Sequence, residues 1–259
     1  MEGKTKGFER IASIFNEGNT RTDSEVFEEI LKPFLVANPR KAHYNKKGLY
    51  SSYDKNHKER EALDYYSTPI EEVENILNTM NLDLNNTTIL EPCCGGGHMV
   101  QGIANYCYKY DSKLWKLYAT DIKDRNSILQ KEDYKAGSDY DFLSDDYPCC
   151  HGIDYIIMNP PYSVIEPFVM KALGIAEKGM LMLGRLQFLE GQGRYENIFK
   201  HYPPTDVYVY VDRIFCYKNG DTSIKQSSAQ AYAWFFWDLK SNSKDTKMHW
   251  IRRADKKEC

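Results

Sequence analysis

From Asp64 onward, short apolar runs alternate with stretches of helical periodicity, and this alternation limits the possible folds more than any other feature of the chain. The apolar runs predict strands at residues 88–91, 117–120, 154–158 and 180–183. Helical spacing predicts helices beginning near Thr68 and Pro69 and covering residues 100–108, 164–176 and 188–199. Strands joined by helices cross over with a right hand, so the pattern predicts a parallel sheet.

The last two predicted strands, residues 206–211 and 230–237, are joined by a segment without helical periodicity. An antiparallel pair at one edge of the sheet is the economical arrangement for them. The expected fold is therefore α/β, with a mostly parallel sheet of the Rossmann-like type. In such sheets ligands bind beyond the carboxyl ends of the strands, where the strand order reverses.

Composition divides the chain into three parts: an extension over residues 1–63, a main domain over 64–240 and a polar, basic tail over 241–259. In the extension, residues 23–32 are predicted to form a helix that ends before Pro33. The tail is expected to be frayed. There is no signal-peptide pattern and no apolar run of membrane-spanning length, so we expect a cytoplasmic protein. Seven cysteines without a CxxC motif predict reduced thiols and no structural metal.

The overall charge of −3 gives no sign of a nucleic-acid partner, but one segment does. Residues 38–60 carry seven Lys/Arg against two acids, with three tyrosines between them. That mixture suits phosphate contacts and base stacking, and equally a solvated basic loop. Candidate nucleic-acid contacts are Arg40, Lys41, Lys46, Lys47 and Lys55, together with Arg213, Lys218 and Lys225 in the loop before the last strand.

A glycine-rich turn follows the first strand of the main domain, in the sequence Glu91-Pro92-Cys93-Cys94-Gly95-Gly96-Gly97. Glycines such as Gly95 and Gly97 let the backbone approach a ligand closely. The turn lacks the GK[ST] ending of a phosphate-binding loop. Glu91 is suited to fixing this loop or to binding the ammonium group of an amino-acid-bearing cofactor.

Two further acids fall where a nucleoside would be bound. Asp121 ends the second strand and can accept hydrogen bonds from both ribose hydroxyls, while Ile122 offers an apolar face to a purine. Asp141 is placed to accept from an adenine amino group, with Phe142 packing on the ring. Each acid taken alone equally fits an ordinary turn or cap.

The most specific stretch is Asn159-Pro160-Pro161-Tyr162, at the end of a buried strand. An aryl amine is a poor nucleophile because its lone pair is delocalised into the ring. Accepting its two hydrogens, at the Asn159 side-chain oxygen and the Pro160 carbonyl, localises that lone pair. Attack on a sulfonium methyl group then requires mainly positioning. Tyr162 can stack on a base turned out of its helix.

These motifs resemble the N-6 adenine-specific DNA methyltransferases of the subgroup in which the cofactor motifs precede the catalytic one, and especially their small phage and prophage members. The resemblance covers about residues 64–240 and includes Tyr66-Ser67-Thr68-Pro69, which resembles the family's first cofactor motif. It implies a seven-stranded sheet with its last strand antiparallel, S-adenosyl-L-methionine as cofactor, and Asn159, Pro160 and Tyr162 at the target adenine. It also implies that Tyr66, Thr68, Pro69, Pro92, Cys93 and Asn159 help to form the cofactor site.

Larger family members append a target-recognition domain, whereas only residues 238–259 follow the last predicted strand here. We therefore expect sequence recognition to come from residues 1–63, from the loop over residues 212–228, or from both. RNA adenine and protein glutamine are alternative substrates, because each presents a similar amino group. A nucleic-acid-binding module with a degenerate methyltransferase fold is the non-enzyme alternative.

Overall fold

The computed structural model describes residues 65–114, 116–123, 125, 135–137, 140–145, 147, 152–221, 223 and 230–256. The predicted helix over residues 23–32 and the basic segment over residues 38–60 lie outside the described residues, and so does Lys225. Among the described helices, none is long and apolar enough to span a membrane.

Ten strands are described. They are β1 (Tyr66–Ser67), β2 (Thr88–Glu91), β3 (Lys116–Thr120), β4 (Lys135–Gly137), β5 (Tyr155–Met158), β6 (Gly179–Arg185), β7 (Asp206–Tyr210), β8 (Tyr217–Lys218), β9 (Tyr232–Asp238) and β10 (Lys247–Ile251). Eight of them form one sheet in the order β10-β7-β9-β6-β5-β2-β3-β4, and β1 and β8 form a separate antiparallel pair.

Three longer helices connect the strands: α1 (Ile70–Met80), α2 (His98–Lys109) and α3 (Ile165–Ile175). Helix α1 begins after Pro69, whose fixed φ suits a helix start, and buries Val73, Ile76 and Leu77. A short helix α4 (Gln192–Arg194) continues into a π-helical turn at Tyr195–Phe199. A helix was predicted over residues 188–199. The structure instead has a 3₁₀ turn at Leu186–Leu189, and helical structure resumes at Gln192 and continues to Phe199.

The predicted sheet is confirmed. Strands β4, β3, β2, β5 and β6 are parallel, and β9 runs antiparallel between β6 and β7. The chain leaves β2 toward β3 on one side and reaches β5 on the other, so the strand order reverses between β2 and β5. The carboxyl ends of β2, β3 and β5 therefore meet at one edge, which places Glu91, Asp121 and Asn159 near one another.

The expectation of a frayed tail was wrong. Residues Lys247–Ile251 form β10, which pairs in parallel with β7 from Lys247↔Asp206 to Ile251↔Tyr210. Two interactions secure this edge strand: Ile251 is buried, and His249 Nε2 lies 2.7 Å from Asp206 Oδ1. The seven-stranded arrangement that the resemblance implies thus gains an eighth strand beside β7.

Two apolar clusters fill the two faces of the sheet. One contains the buried face of α3, with Phe168, Val169 and Ala172 packed near Phe142 and Phe235. The other contains the buried faces of α1 and α2. Burial on both faces explains why the central strands are almost continuously apolar rather than alternating.

Candidate active site

A cavity lies at the carboxyl ends of β2, β3 and β5, where the strand order reverses. Eleven of the residues proposed from the sequence line it: Tyr66, Thr68, Glu91, Pro92, Cys93, Asp121, Ile122, Asp141, Phe142, Asn159 and Pro161. The neighbouring residues Tyr65, Ser67, Cys94, His98, Met99, Arg125, Tyr140, Leu143, Val164 and Phe168 complete the lining. Residues far apart in sequence thus converge on one concave site, as expected for a ligand pocket.

Glu91 is a buried acid with an oxygen that has no partner in the described part of the chain. Its side chain is 2% exposed, and Oε2 accepts no hydrogen bond. Burial raises the pKa of Glu91 well above its usual value, and the nearby Asp121 carboxylate raises it further, against a smaller lowering by the Val100 backbone N–H. A buried carboxylate oxygen without a donor is costly, so this position suits a cationic ligand group.

Asp121 is anchored to the glycine-rich turn. Its Oδ2 accepts a hydrogen bond from the Gly95 backbone N–H at 2.8 Å, and its Oδ1 accepts one from the Lys123 N–H at 2.9 Å. Arg125 Nε lies 3.5 Å from Oδ1 and forms an ion pair. Carboxylate oxygens each have two lone pairs, so Asp121 keeps acceptor capacity toward the cavity.

Gly95 and Gly96 of the glycine-rich turn lie against Tyr65 and do not line the cavity. A Cβ atom built on Gly95 would lie 2.2 Å from the Tyr65 ring, and Gly95 has a φ of +53°. The Gly96 N–H donates to the Tyr65 hydroxyl at 2.6 Å, and the Arg125 guanidinium lies 4.4 Å from the centre of the same ring. Gly95 thus needs to be glycine both for its backbone angle and for the close approach of Tyr65.

The nucleoside-binding candidates Ile122, Asp141 and Phe142 also line the cavity. Asp141 Oδ1 accepts a hydrogen bond from the Leu143 N–H at 2.9 Å, which fixes the carboxylate at the start of its turn. Phe142 is 2% exposed and packs against Phe168, with the ring centres 5.0 Å apart. Ile122 is half-buried directly after Asp121. These residues combine apolar side chains with one acid, which suits a purine.

Asn159 follows β5, and its side chain donates two hydrogen bonds. Nδ2 donates to the Tyr66 carbonyl oxygen at 2.9 Å and to Thr68 Oγ1 at 3.2 Å. Among the described residues these are the only hydrogen bonds of the carboxamide. Asn159 is half-buried and lines the cavity.

Tyr162 lies beside this cavity without lining it. The Arg185 guanidinium lies 4.1 Å from its ring centre, and the rings of Tyr66 and Tyr232 lie 6.2 and 6.3 Å away. Burial raises the pKa of Tyr162 well above its usual value, so the phenol stays protonated. The Tyr162 ring is thus surrounded by the guanidinium of Arg185 and the rings of Tyr66 and Tyr232.

Four other residues proposed from the sequence do not line the cavity. Pro69 caps α1, Gly97 caps α2 with a φ of +85°, Gly95 faces Tyr65, and Pro160 is buried. Arg213 and Lys218 are exposed, and Arg213 lines an open polar cavity with Gln187, Glu190 and Gln230. The structure thus separates residues that line the cavity from those that shape the turns around it.

Sequence reasoning missed Tyr65, His98 and Arg125. Arg125 stands four residues after Asp121, and this spacing, typical of an ion pair, was the available signal. Tyr65 directly precedes the Tyr66-Ser67-Thr68-Pro69 motif but belongs to no pattern of its own. Burial lowers the pKa of His98, so its imidazole is neutral at the cavity wall at neutral pH.

No protein-family model and no curated protein sequence matches the chain. Solved structures do resemble it. A proposed class I S-adenosylmethionine-dependent methyltransferase from Listeria monocytogenes superposes with a TM-score of 0.55 at 12% identity, over 90% of this chain and 74% of that one. A proposed RNA methyltransferase from Pyrococcus horikoshii gives a TM-score of 0.51 at 15% identity, over 68% of this chain and 88% of that one.

A methyltransferase subunit of a type I restriction-modification system from Streptococcus thermophilus gives a TM-score of 0.53 at 12% identity. The match covers 76% of this chain and 49% of that subunit, so this chain spans about half its length. At these identities the likeness establishes the fold. The chain has the class I methyltransferase fold.

Proposed function

We propose that this protein transfers a methyl group from S-adenosyl-L-methionine to the exocyclic 6-amino group of adenine in DNA. The observation that carries the proposal is the Asn159 side chain, which lines the same cavity as Glu91 and Asp121 and has both amide hydrogens engaged by the chain. A carboxamide held in this way presents an acceptor, and an amino group is the donor that it suits.

The cavity residues fit the cofactor chemically. The unpartnered Glu91 Oε2 matches an ammonium group, the Asp121 carboxylate matches ribose hydroxyls, and the Ile122 and Phe142 wall matches a purine ring. Bound there, S-adenosyl-L-methionine supplies an electrophilic methyl group. We assign Asp141 to the purine amino group and His98 to the wall of the pocket.

Asn159 and Pro160 provide the chemistry at the substrate nitrogen. The Asn159 side-chain oxygen and the Pro160 carbonyl accept the two hydrogens of the amino group, which localises its lone pair for attack on the methyl carbon. The new carbon–nitrogen bond would take both electrons from that lone pair while the sulfur–methyl bond breaks and sulfur keeps its electrons, which leaves S-adenosyl-L-homocysteine. The nitrogen would then release one proton to water. Tyr162, backed by Arg185, is assigned to stacking with the turned-out base.

Three alternatives share parts of this site. RNA adenine presents the same ring and amino group, and one structural neighbour is described as an RNA methyltransferase. A protein glutamine presents a carboxamide nitrogen with a similarly delocalised lone pair. A binding module would keep the fold without the reaction, but the buried, unpartnered Glu91 oxygen favours a bound small molecule.

One experiment tests these assignments together. The purified protein is incubated with methyl-labelled S-adenosyl-L-methionine and, in separate reactions, with DNA, RNA and a glutamine-bearing protein. Label recovered as N6-methyl-2′-deoxyadenosine supports the proposal. Label in RNA or glutamine instead identifies the corresponding alternative, and cofactor binding without transfer to any polymer favours the binding module. Asn159→Ala is the catalytic control.

A further inference from the structure

We infer that Thr68 is a positioning residue, whose hydroxyl locks the Asn159 carboxamide so that this site receives only hydrogen-bond donors. The inference rests on the proposed function for its substrate and on the structure for its geometry. Thr68 is 2% exposed, lies just before the start of α1 and precedes Asn159 by 91 residues in sequence.

The orientation of the carboxamide follows from the chemistry of its neighbours. A backbone carbonyl oxygen can only accept, so the Asn159 atom 2.9 Å from the Tyr66 oxygen must be the nitrogen. The same nitrogen carries a second hydrogen, and Thr68 Oγ1 lies 3.2 Å away to accept it. Both amide hydrogens are then used within the protein, and only Oδ1 remains for a ligand.

The two acceptors are themselves held in place. Tyr66 and Ser67 form β1, which pairs with β8 through Tyr66↔Lys218 and Ser67↔Tyr217. The Asn219 N–H also donates to the Tyr65 carbonyl at 2.9 Å. Thr68 follows this paired segment without a break and is buried against the start of α1. If the Tyr66 carbonyl were the only acceptor, the Asn159 carboxamide could rotate about that hydrogen bond. The hydrogen bond to the Thr68 hydroxyl fixes a second position of the carboxamide.

A locked carboxamide discriminates between substrates. A ring bearing an amino group donates to Asn159 Oδ1, whereas a ring bearing an oxo group presents a second acceptor to it. Rotating the carboxamide by 180° to serve the oxo group would bring Oδ1 against the Tyr66 carbonyl oxygen, which cannot donate, and would require the Thr68 hydroxyl to turn from acceptor to donor. Sites built on such complementarity discriminate strongly, because the mismatched partner leaves buried polar groups unpaired.

The test separates the hydroxyl from the shape of the side chain. Thr68→Val removes the hydroxyl at nearly constant shape, and Thr68→Ser restores it. The matched control is Thr79→Val, on the exposed side of α1 near its end, where the hydroxyl donates to the Asn75 carbonyl at 2.8 Å. The first readout is solvent exchange of the Asn159 side-chain amide hydrogens by NMR, with the resonances assigned by their absence in Asn159→Asp.

We expect exchange of the Asn159 amide hydrogens to quicken severalfold in Thr68→Val and to remain as in the wild type in Thr68→Ser and Thr79→Val. Unchanged exchange in Thr68→Val overturns the inference. This readout needs no methyl transfer, so it remains decisive even if the wild type methylates none of the polymers and the proposed function fails.

The second readout uses whichever polymer the wild type methylates. Removal of one neutral hydrogen bond predicts a fall in kcat of about 3- to 10-fold for Thr68→Val, with recovery in Thr68→Ser. Because Thr68 also lines the cofactor cavity, cofactor affinity is measured in parallel by calorimetry, and kcat is compared at saturating cofactor so that a change in affinity does not affect it. A fall in cofactor affinity with kcat unchanged would show that Thr68 binds the cofactor rather than positioning Asn159.

Discussion

The Asp121 carboxylate accepts a hydrogen bond from the Gly95 backbone N–H at 2.8 Å, which ties the end of β3 to the turn after β2. The Cys94 N–H strengthens the same junction by donating to the Thr120 carbonyl at 2.9 Å. Two adjacent strand ends are therefore held at a fixed separation, and the cavity lies directly beside this junction. Preorganisation of this kind reduces the entropy cost of binding a ligand.

Asp121→Ala should weaken S-adenosyl-L-methionine binding more than any other single change in the cavity. It removes the proposed ribose acceptor and also releases Gly95 and Arg125 from their contacts. Removal of a hydrogen bond to a charged group predicts an affinity lower by about 10- to 100-fold. Calorimetry of the variant and of Asp83→Ala, a change at an exposed aspartate distant from the cavity, measures the effect. Undiminished affinity in Asp121→Ala would remove this residue from the site.

Asn159→Ala should abolish most turnover and leave cofactor affinity nearly intact. The side-chain oxygen acts on the reacting nitrogen, so its contribution is made mainly in the transition state. Removal of a comparable preorganised contact typically lowers kcat by about 10²- to 10³-fold. Single-turnover kinetics with saturating cofactor separate this effect from binding. Near-normal turnover would contradict the assigned mechanism.

Cofactor affinity should fall on acidification, beginning at a higher pH than an ordinary glutamate would produce. Burial and Asp121 raise the pKa of Glu91, and only its ionised form pairs with an ammonium group. Affinity is therefore full above the raised pKa and declines as the pH falls through it. Calorimetry from pH 8 downward should show this decline in the wild type and in Glu71→Gln, an exposed control.

Glu91→Gln should bind weakly at pH 8 and show little further decline over the same range. His98 also lines the cavity, but burial lowers its pKa, so it becomes charged only at a lower pH than a free histidine. Repeating the titration in His98→Gln isolates the contribution of Glu91. A wild-type pH dependence that survives in Glu91→Gln would exclude Glu91 as its source.

Glu72 should be a main source of stability away from the cavity. It is 3% exposed, and its carboxylate accepts hydrogen bonds of 3.0 Å each from Asn75 Nδ2, the Tyr210 hydroxyl and the Ala254 N–H. These bonds join α1 to β7 and to the segment after β10. Glu72→Ala leaves buried donors unpaired and should lower the free energy of unfolding by about 1–3 kcal/mol.

Urea unfolding of Glu72→Ala and of Glu71→Ala measures this contribution. Glu71 is the adjacent exposed residue on the same helix, so its change should stay within about 0.5 kcal/mol. Equal midpoints for the two variants would show that the Glu72 hydrogen bonds add nothing to stability.

The central sheet was predictable because its strands are buried on both faces and so are almost entirely apolar. Strand β2 was predicted at its observed bounds, and the antiparallel pairing of β7 with β9 followed from the lack of a helix between them. Strand β10 was missed although Lys247-Met248-His249-Trp250 alternates polar and apolar residues, because four residues are a short signal within a polar, basic segment. The two-residue strands β1 and β8 leave no periodic signal at all.

The residues that line the cavity were predictable where a motif contained them and not where only packing placed them there. Asn159, Glu91 and Asp121 stand at strand ends, and their convergence follows from the parallel sheet. Tyr65 contacts the glycine-rich turn about 30 residues further along the chain. Arg185 contacts Tyr162, which precedes it by about 20 residues. Such contacts depend on side-chain packing that the sequence pattern does not encode.

Neutralising the basic segment should weaken DNA binding at every sequence tested. The cavity itself is lined by Glu91, Asp121 and Asp141, so attraction of a polyanion has to come from elsewhere on the protein. Residues 38–60 have the strongest local positive charge in the sequence, and the tyrosines among them suit base stacking. The exposed Arg213 and Lys218 follow β7 toward the same edge of the sheet as Asn159, so we assign them a smaller contribution.

The variant that tests this assignment replaces four lysines of the basic segment by glutamine: Lys41, Lys46, Lys47 and Lys55. The matched control replaces four other exposed lysines by glutamine: Lys109, Lys113, Lys240 and Lys244. Lys109 and Lys113 lie at or just after the end of α2, and Lys240 and Lys244 follow β9, so all four are at the opposite edge of the sheet. Both variants lose the same formal charge, so a general effect of net charge would appear equally in each.

Affinity for mixed-sequence duplexes is measured by fluorescence anisotropy over a series of salt concentrations. The log–log salt slope should flatten by about 0.9 for each phosphate interaction that the substitutions remove, in the first variant only. Equal slopes in the two variants, with binding intact, would assign DNA contact to the loops around Arg213 and Lys218 and would leave residues 38–60 without a part in it.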